Sequence, residues 1–166
     1  MSYIDGEKAP DWIEKNHPEN GLFRVYWRDG PGGRFGDIVN LHEGGATLDP
    51  DEGGELRYEW SYKDGERADG VSKSWYVDGT LKQIKTWKNG KEDGLSTVWD
   101  EIGQKNYEIN YNDGNKWKIS NYKNDKLDGT YVEYHKNGNK KKEVTFKDWK
   151  DISEKYYDTS GIALEV

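Results

Sequence analysis

The stretch that decides the fold runs from Gly70 to Gly94 and reads GVSKSWYVDGTLKQIKTWKNGKEDG. It holds two segments, VSKSWYV and TLKQIKTW, joined at Asp78-Gly79. Both are too short for stable helices and are built from Val, Ile, Thr, Tyr and Trp, which suit a pleated, half-buried surface. Asp-Gly and Asn-Gly tolerate the positive φ of a type I′ turn, the strongest short-range hairpin signal. The spacing therefore predicts a tight turn at Asp78-Gly79, then a longer loop, KNGKEDG, that ends at Asp93-Gly94. The step from Gly70 to Gly94 gives a repeat unit of about 24 residues.

Moving outward, the pattern recurs. Aromatic residues fall about every 12 positions: Trp75, Trp87, Trp99, Tyr111, Tyr122, Tyr134, Phe146 and Tyr157. Each stands shortly before a turn-like pair, as Trp87 precedes Asn89-Gly90, Tyr111 precedes Asp113-Gly114 and Tyr134 precedes Asn137-Gly138. A further Asp-Gly follows some turns, Asp93-Gly94 and Asp128-Gly129 among them. Internal repeats of this length signal a repeat architecture. The expectation is an all-β fold: an extended antiparallel meander of β-hairpin repeats forming a single-layer twisted sheet over residues 54–166. The eight periodic rings are expected to form its core, lining one face and stacking along the array, with ring pairs adding about 0.5–1.5 kcal/mol each. One break interrupts the period. Between Gly114 and Gly129, NKWKISNYKNDKLDG supplies one strand where two are expected. In a meander this moves the tight turns to the opposite edge, so they should change edge between Tyr111 and Tyr122.

The first third is less regular. GLFRVYWRDG at 21–30 resembles a degenerate strand and turn, DIVNL reads as a short strand, and DWIEKNH at 11–17 allows one helical turn. Residues 1–53 are read as an irregular N-terminal cap on the array, because a stack of repeats needs its end covered. One structural domain is expected across all 166 residues.

Composition bounds the function. Only 32% of residues are apolar, 34% are charged, and mean hydropathy is −1.19. Those values alone approach the disordered class, but 14% aromatic residues oppose it, since disordered chains lack such burial. Net charge is −7, so a nucleic-acid or anionic-membrane partner is not expected. With no cysteine there is no disulfide framework and no thiolate metal site. The opening MSYIDGEKAPDW lacks a signal-peptide pattern, which together with the missing cysteines gives an expected cytoplasmic location.

The repeats WYVDGTLKQIKTWKNGKEDG, YNDGNKWKISNYKNDKLDG and GTYVEYHKNGNKKKEVTFKD resemble the MORN-repeat variant of bacterial antitoxin-like proteins, over about residues 54–161. Ile102-Gly103, Asn124-Asp125 and Asp148-Trp149 depart from its Asn-Gly pattern. The resemblance carries no catalytic residues. It implies a string of β-hairpins and a non-enzymatic binding module, one that neutralises a toxin or another protein.

Candidate chemistry is sparse. His17, His42 and His135 have no metal-ligand spacing and read as surface or loop residues. The acidic run from Asp49 to Glu55 lacks the order of a calcium loop. No nucleophile elbow or phosphate loop is present, so no catalytic residue, cofactor or metal is assigned. Lys136, Lys140, Lys141 and Lys142 read as a solvated hairpin tip. The partner-binding candidates are the rings that fall outside the period: Tyr76, Trp117, Tyr131 and Tyr156, because exposed Tyr and Trp are enriched at interfaces. The expected function is a protein-protein interaction module, with a toxin as one candidate partner. The alternative is a carbohydrate- or cell-wall-binding module in which Trp and Tyr stack on sugar rings. A small enzyme with a site in the N-terminal third is the least favoured reading.

Overall fold

The computed structural model describes residues 3–4, 7–8, 21–26, 38–40 and 56–165. Its strands are β1 (Tyr3–Ile4), β2 (Glu7–Lys8), β3 (Gly21–Tyr26), β4 (Ile38–Asn40), β5 (Leu56–Lys63), β6 (Glu66–Arg67), β7 (Gly70–Trp75), β8 (Leu81–Lys88), β9 (Lys91–Glu92), β10 (Gly94–Trp99), β11 (Lys105–Asn112), β12 (Asn115–Lys123), β13 (Lys126–Tyr134), β14 (Lys140–Lys147), β15 (Lys150–Tyr157) and β16 (Ala163–Leu164). No helix occurs among the described residues. The helical turn expected at 11–17 and the acidic run 49–55 lie outside them. β1 and β2 pair with each other. The other fourteen strands form one antiparallel sheet, in the order β4-β3-β5-β7-β8-β10-β11-β12-β13-β14-β15-β16, with β6 on β5 and β9 on β8. The fold is the expected all-β meander, and β3 and β4 extend it beyond the repeats.

Two turn types build the meander, and which type stands at which pair differs from the expectation. The type I′ turns are Asp64-Gly65, Asn89-Gly90, Asp113-Gly114, Asn124-Asp125 and Asp148-Trp149, where both residues have positive φ. The pairs Asp78-Gly79, Ile102-Gly103, Asn137-Gly138 and Ser160-Gly161 instead close three-residue loops, in which glycine alone is left-handed. There Gly79 donates its N–H to the Tyr76 carbonyl and Tyr76 donates to Thr80, with the same bonds at Gly103, Gly138 and Gly161. KNGKEDG is therefore no long loop. It is a type I′ turn followed by a bulge at Asp93-Gly94, where β9 passes into β10. Gly94 sits at φ 100, a conformation L side chains avoid.

The edge change is present. The three-residue loops lie on one edge, the first, between β7 and β8 and between β10 and β11. They lie on the opposite, second edge between β13 and β14 and between β15 and β16. β12 is the odd strand that causes it.

Cross-strand register overturns the expectation for the rings. Residues opposite each other share a face. One row on the front face runs Tyr58, Ser74, Gln83, Val98, Tyr107, Asn121. One on the back runs Glu59, Lys73, Ile84, Thr97, Glu108, Ser120, Tyr131, Val144, Glu154. Strand alternation then puts Trp87, Tyr111, Tyr134 and Tyr157 on the front, near the second edge. Trp75, Trp99, Tyr122 and Phe146 fall on the back, near the first edge. A step of 11 or 12 residues in a meander reverses strand direction each time, so successive rings alternate between faces. The result is two combs, each with a ring on every second strand, about 10 Å apart.

The eight rings are half-buried, and they are not the core. The buried apolar residues are Tyr58, Trp60, Tyr62, Val98, Val132 and Val144, with Ser74, Ser96, Thr97 and Ser120 buried beside them. Among the described residues the ring pairs in contact are Tyr58–Trp60 and Trp60–Tyr62, both along β5. Two of the periodic rings, Trp87 and Tyr122, find cations instead. The Arg67 guanidinium lies 4.3 Å from the Trp87 ring and 5.2 Å from Trp60, and Lys105 lies 4.7 Å over Tyr122. Long basic side chains cover apolar surface with their stems while keeping the charge hydrated. This is how a chain so poor in aliphatic residues covers its sheet.

Candidate functional site

Three bonding systems organise the surface, and each repeats along the array. The first lies on the edges. Each bulge aspartate accepts the N–H that opens the type I′ turn of the next hairpin. Asp69 Oδ1 takes Asn89 N at 2.6 Å, Asp93 Oδ2 takes Asp113 N at 3.0 Å, and Asp128 Oδ2 takes Asp148 N at 3.4 Å. Turns expose unpaired amides, and a carboxylate answers one at each step.

The second system ties the three-residue loops to their neighbours. Tyr76 Oη donates to the Trp99 carbonyl at 2.9 Å, and His135 Nε2 lies 3.0 Å from the Tyr157 carbonyl. A carbonyl partner makes Nε2 the protonated nitrogen. Asp78, Asp100 and Asp158 cap their own loops. Tyr76, expected on the binding surface, thus has its hydroxyl committed to a neighbouring strand.

The third system is a series of Lys–Tyr–Glu sets on the sheet. On the back face Tyr122 Oη donates to Glu108 at 2.7 Å, Lys105 bonds the same carboxylate at 2.7 Å, and Lys105 covers the Tyr122 ring. Tyr131 Oη donates to Glu133 at 2.6 Å, with Lys118 5.2 Å over the ring. Tyr156 Oη donates to Glu154 at 2.8 Å, with Lys142 over the ring and ion-paired to Glu154. On the front face of the earlier repeats, Lys85 pairs with Glu92 at 2.6 Å, and the Tyr111 phenol lies near the same carboxylate. Burial and the accepting carboxylate push the phenols of Tyr122 and Tyr131 up to about 12, and Tyr111 higher still. Burial opposes the Glu108 carboxylate, yet the hydrogen bonds from Lys105 and Tyr122 outweigh it and hold its pKa below the usual value.

Of the four rings singled out for binding, Tyr131 and Tyr156 lie on the back face as members of these sets, half-buried. Trp117 is 45% exposed, beside the register shift opposite Tyr111. The four do not converge on one patch: Tyr76 is at the first edge, while Trp117 is near the second. The sequence marks Asp148-Trp149 as a departure from the turn pattern, and Trp149 is not among the binding candidates taken from it. It occupies the second position of a type I′ turn, with φ 73, and is 56% exposed. The signal was there as a missing glycine. No group of three or more His, Asp or Glu residues among the described residues is disposed to hold a metal ion.

Two segments, residues 68–89 and 127–148, match the family described as MORN repeat variant. MORN repeats are generally modules that bind proteins or membrane lipids. Neither a curated protein nor a solved structure matches the chain. Both matched segments run from a bulge to the first residue of a type I′ turn, and their bonds correspond: Asp69 to Asn89 with Asp128 to Asp148, and Tyr76 to Trp99 with His135 to Tyr157. Yet they start from opposite edges. Trp87 is on the front where its counterpart Phe146 is on the back. The odd strand β12 has turned the repeat over.

Proposed function

We propose that the chain is a non-enzymatic module that binds a protein partner. The observation that carries this reading is the repeat: two matches to a binding-module family within one sheet whose functional-looking side chains are spent on repeat-to-repeat bonds. The carboxylates of Asp69, Asp93 and Asp128 hold turns, and those of Glu92, Glu108, Glu133 and Glu154 hold phenols and lysines. Such groups serve as scaffold, and they leave exposed loop tips and charged faces to meet another molecule. The antitoxin or immunity role, with a toxin as partner inside the cytoplasm, is the specific form that the resemblance supports.

The carbohydrate alternative finds less support. Sugar stacking favours a continuous platform of open rings on one face, whereas these rings alternate between faces, and Arg67, Lys85 and Lys105 lie over two of them. The test is affinity capture from the native host followed by reconstitution with purified components. One dominant protein retained at a fixed stoichiometry is expected. Retention of glycan alone, with no protein, would sink the proposal.

A further inference from the structure

Arg67 is charged, half-buried and without a polar partner. It follows the turn Asp64-Gly65 on the front face, with the Trp87 ring 4.3 Å and the Trp60 ring 5.2 Å from its guanidinium carbon. The Trp87 indole is itself fixed, because its Nε1 donates to Ser72 Oγ at 2.7 Å, and Trp60 is buried. The two rings therefore hold the guanidinium in one orientation. Yet among the described residues none of its N–H donors meets an acceptor, and it makes no ion pair. Arg24 provides the contrast, since its Nε donates to Glu59 at 2.7 Å. In the next hairpin the position of Arg67 is held by Glu92, which is ion-paired with Lys85 at 2.6 Å.

Burial lowers the pKa of Arg67, as it does for a cation that has given up water. Polar groups that give up water ordinarily gain a hydrogen bond in exchange. No Arg67 nitrogen is among the buried polar atoms, so the donor edge opens to solvent. The result is a pre-oriented fork with a ring face on each side and its donors directed outward. Charge does not choose its ligand. Glu92 lies close by, Asp64, Glu66 and Asp69 adjoin the same turn, and the net charge of −7 opposes every anion alike. The choice comes from shape. A guanidinium matches a carboxylate with two parallel hydrogen bonds. Approach is confined to the plane between two indole faces, and those faces carry negative charge density. A planar carboxylate enters in that plane, whereas a phosphate would turn its remaining oxygens onto the rings.

We propose that Arg67 is a recognition point for a carboxylate of the protein partner, from an acidic side chain or a chain terminus, taken in the plane between Trp60 and Trp87. The inference rests on the protein-binding reading and names the chemistry of one contact.

The readout is the Arg67 Nε–H resonance, identified by its loss in Arg67→Lys. The probes, at constant ionic strength, are acetyl-Gly-Glu-Gly-amide, acetyl-Gly-Gly-Gly with a free terminal carboxylate, acetyl-Gly-Gln-Gly-amide and inorganic phosphate. At least one carboxylate peptide is expected to shift the resonance, with half-saturation at roughly 10–100 mM, as a single charge-assisted pair allows. Which of the two does so tells side chain from terminus. The glutamine peptide and phosphate should leave the resonance in place. An equal shift from either of these, or no saturable shift from both carboxylate peptides, would overturn the proposal. In Arg67→Lys the response of the Trp87 indole N–H should fall about fivefold or more, with unchanged β11 and β12 amides showing that the sheet is intact; an undiminished response there counts against the site. A captured host partner that binds Arg67→Lys as tightly as the parent places the contact elsewhere while protein binding itself stands. A shifted Arg67 with no partner captured faults the protein-binding reading instead.

Discussion

Arg67 lies between the indoles of Trp60 and Trp87, and burial there lowers its pKa. The planar guanidinium suits this stack, whereas a lysine ammonium would meet one ring at a time. Arg67→Ala should cost about 2 kcal/mol and Arg67→Lys should recover less than half of that, measured by denaturant midpoint. Gly94, at φ 100, has Thr86 Cβ 3.4 Å from where its own Cβ would be. Gly94→Ala should cost about 1–2 kcal/mol by the same measurement. The phenols provide a pH test. Tyr122 and Tyr131 are pushed up to about 12 in the fold, against about 10 for a free phenol. Their contribution to stability is therefore fully present below pH 10 and is lost as pH rises through 12. Absorbance at 295 nm should show a late-titrating component that shrinks in Tyr122→Phe and Tyr131→Phe; ionisation of all tyrosines near pH 10 would refute it.

At the scale of the element, the bulge and the turn form one device. Asp93-Gly94 kinks the strand and aims a carboxylate at the Asp113 amide, so two elements 20 residues apart are fixed by one side chain. Asp93→Ala leaves that amide without its partner and should cost about 1 kcal/mol, with an unchanged denaturant slope. Asp69→Ala should behave alike, since Asp69 holds Asn89 in the same way. The Asp-Gly pairs at 93 and 128 were readable in the sequence as recurring signals. Their role as bulges was not, because a bulge is defined by the strand opposite, which local sequence does not name.

Across the whole molecule, the sheet is an array in which each hairpin contacts its neighbours. Stability in such arrays is close to a sum of unit and interface terms, and the ends open first. β15 pairs with β14 on one side, but on its other side only β16 covers it, at Tyr156 and Tyr157. Amides of β15 should exchange with solvent at least tenfold faster than those of β11 and β12; uniform protection across the sheet would contradict the array description. The turned-over repeat is also a property at this scale. It makes the front of the early repeats equivalent to the back of the later ones, so a partner reading one repeat surface meets it on opposite sides of the sheet.

The sequence by itself determined the all-β meander, the positions of the turns and the change of edge at β12. These follow from local signals: strand formers in short runs, Gly and Asn where φ must be positive, and a count of strands between turns. The tertiary structure decided which face each ring occupies, which aspartates staple which amides, and that Arg67 is sandwiched by Trp60 and Trp87. Those depend on cross-strand register, and a ring's face is set jointly by strand direction and alternation. A 12-residue period reads as one row along the chain, yet folding the chain back and forth splits it into two.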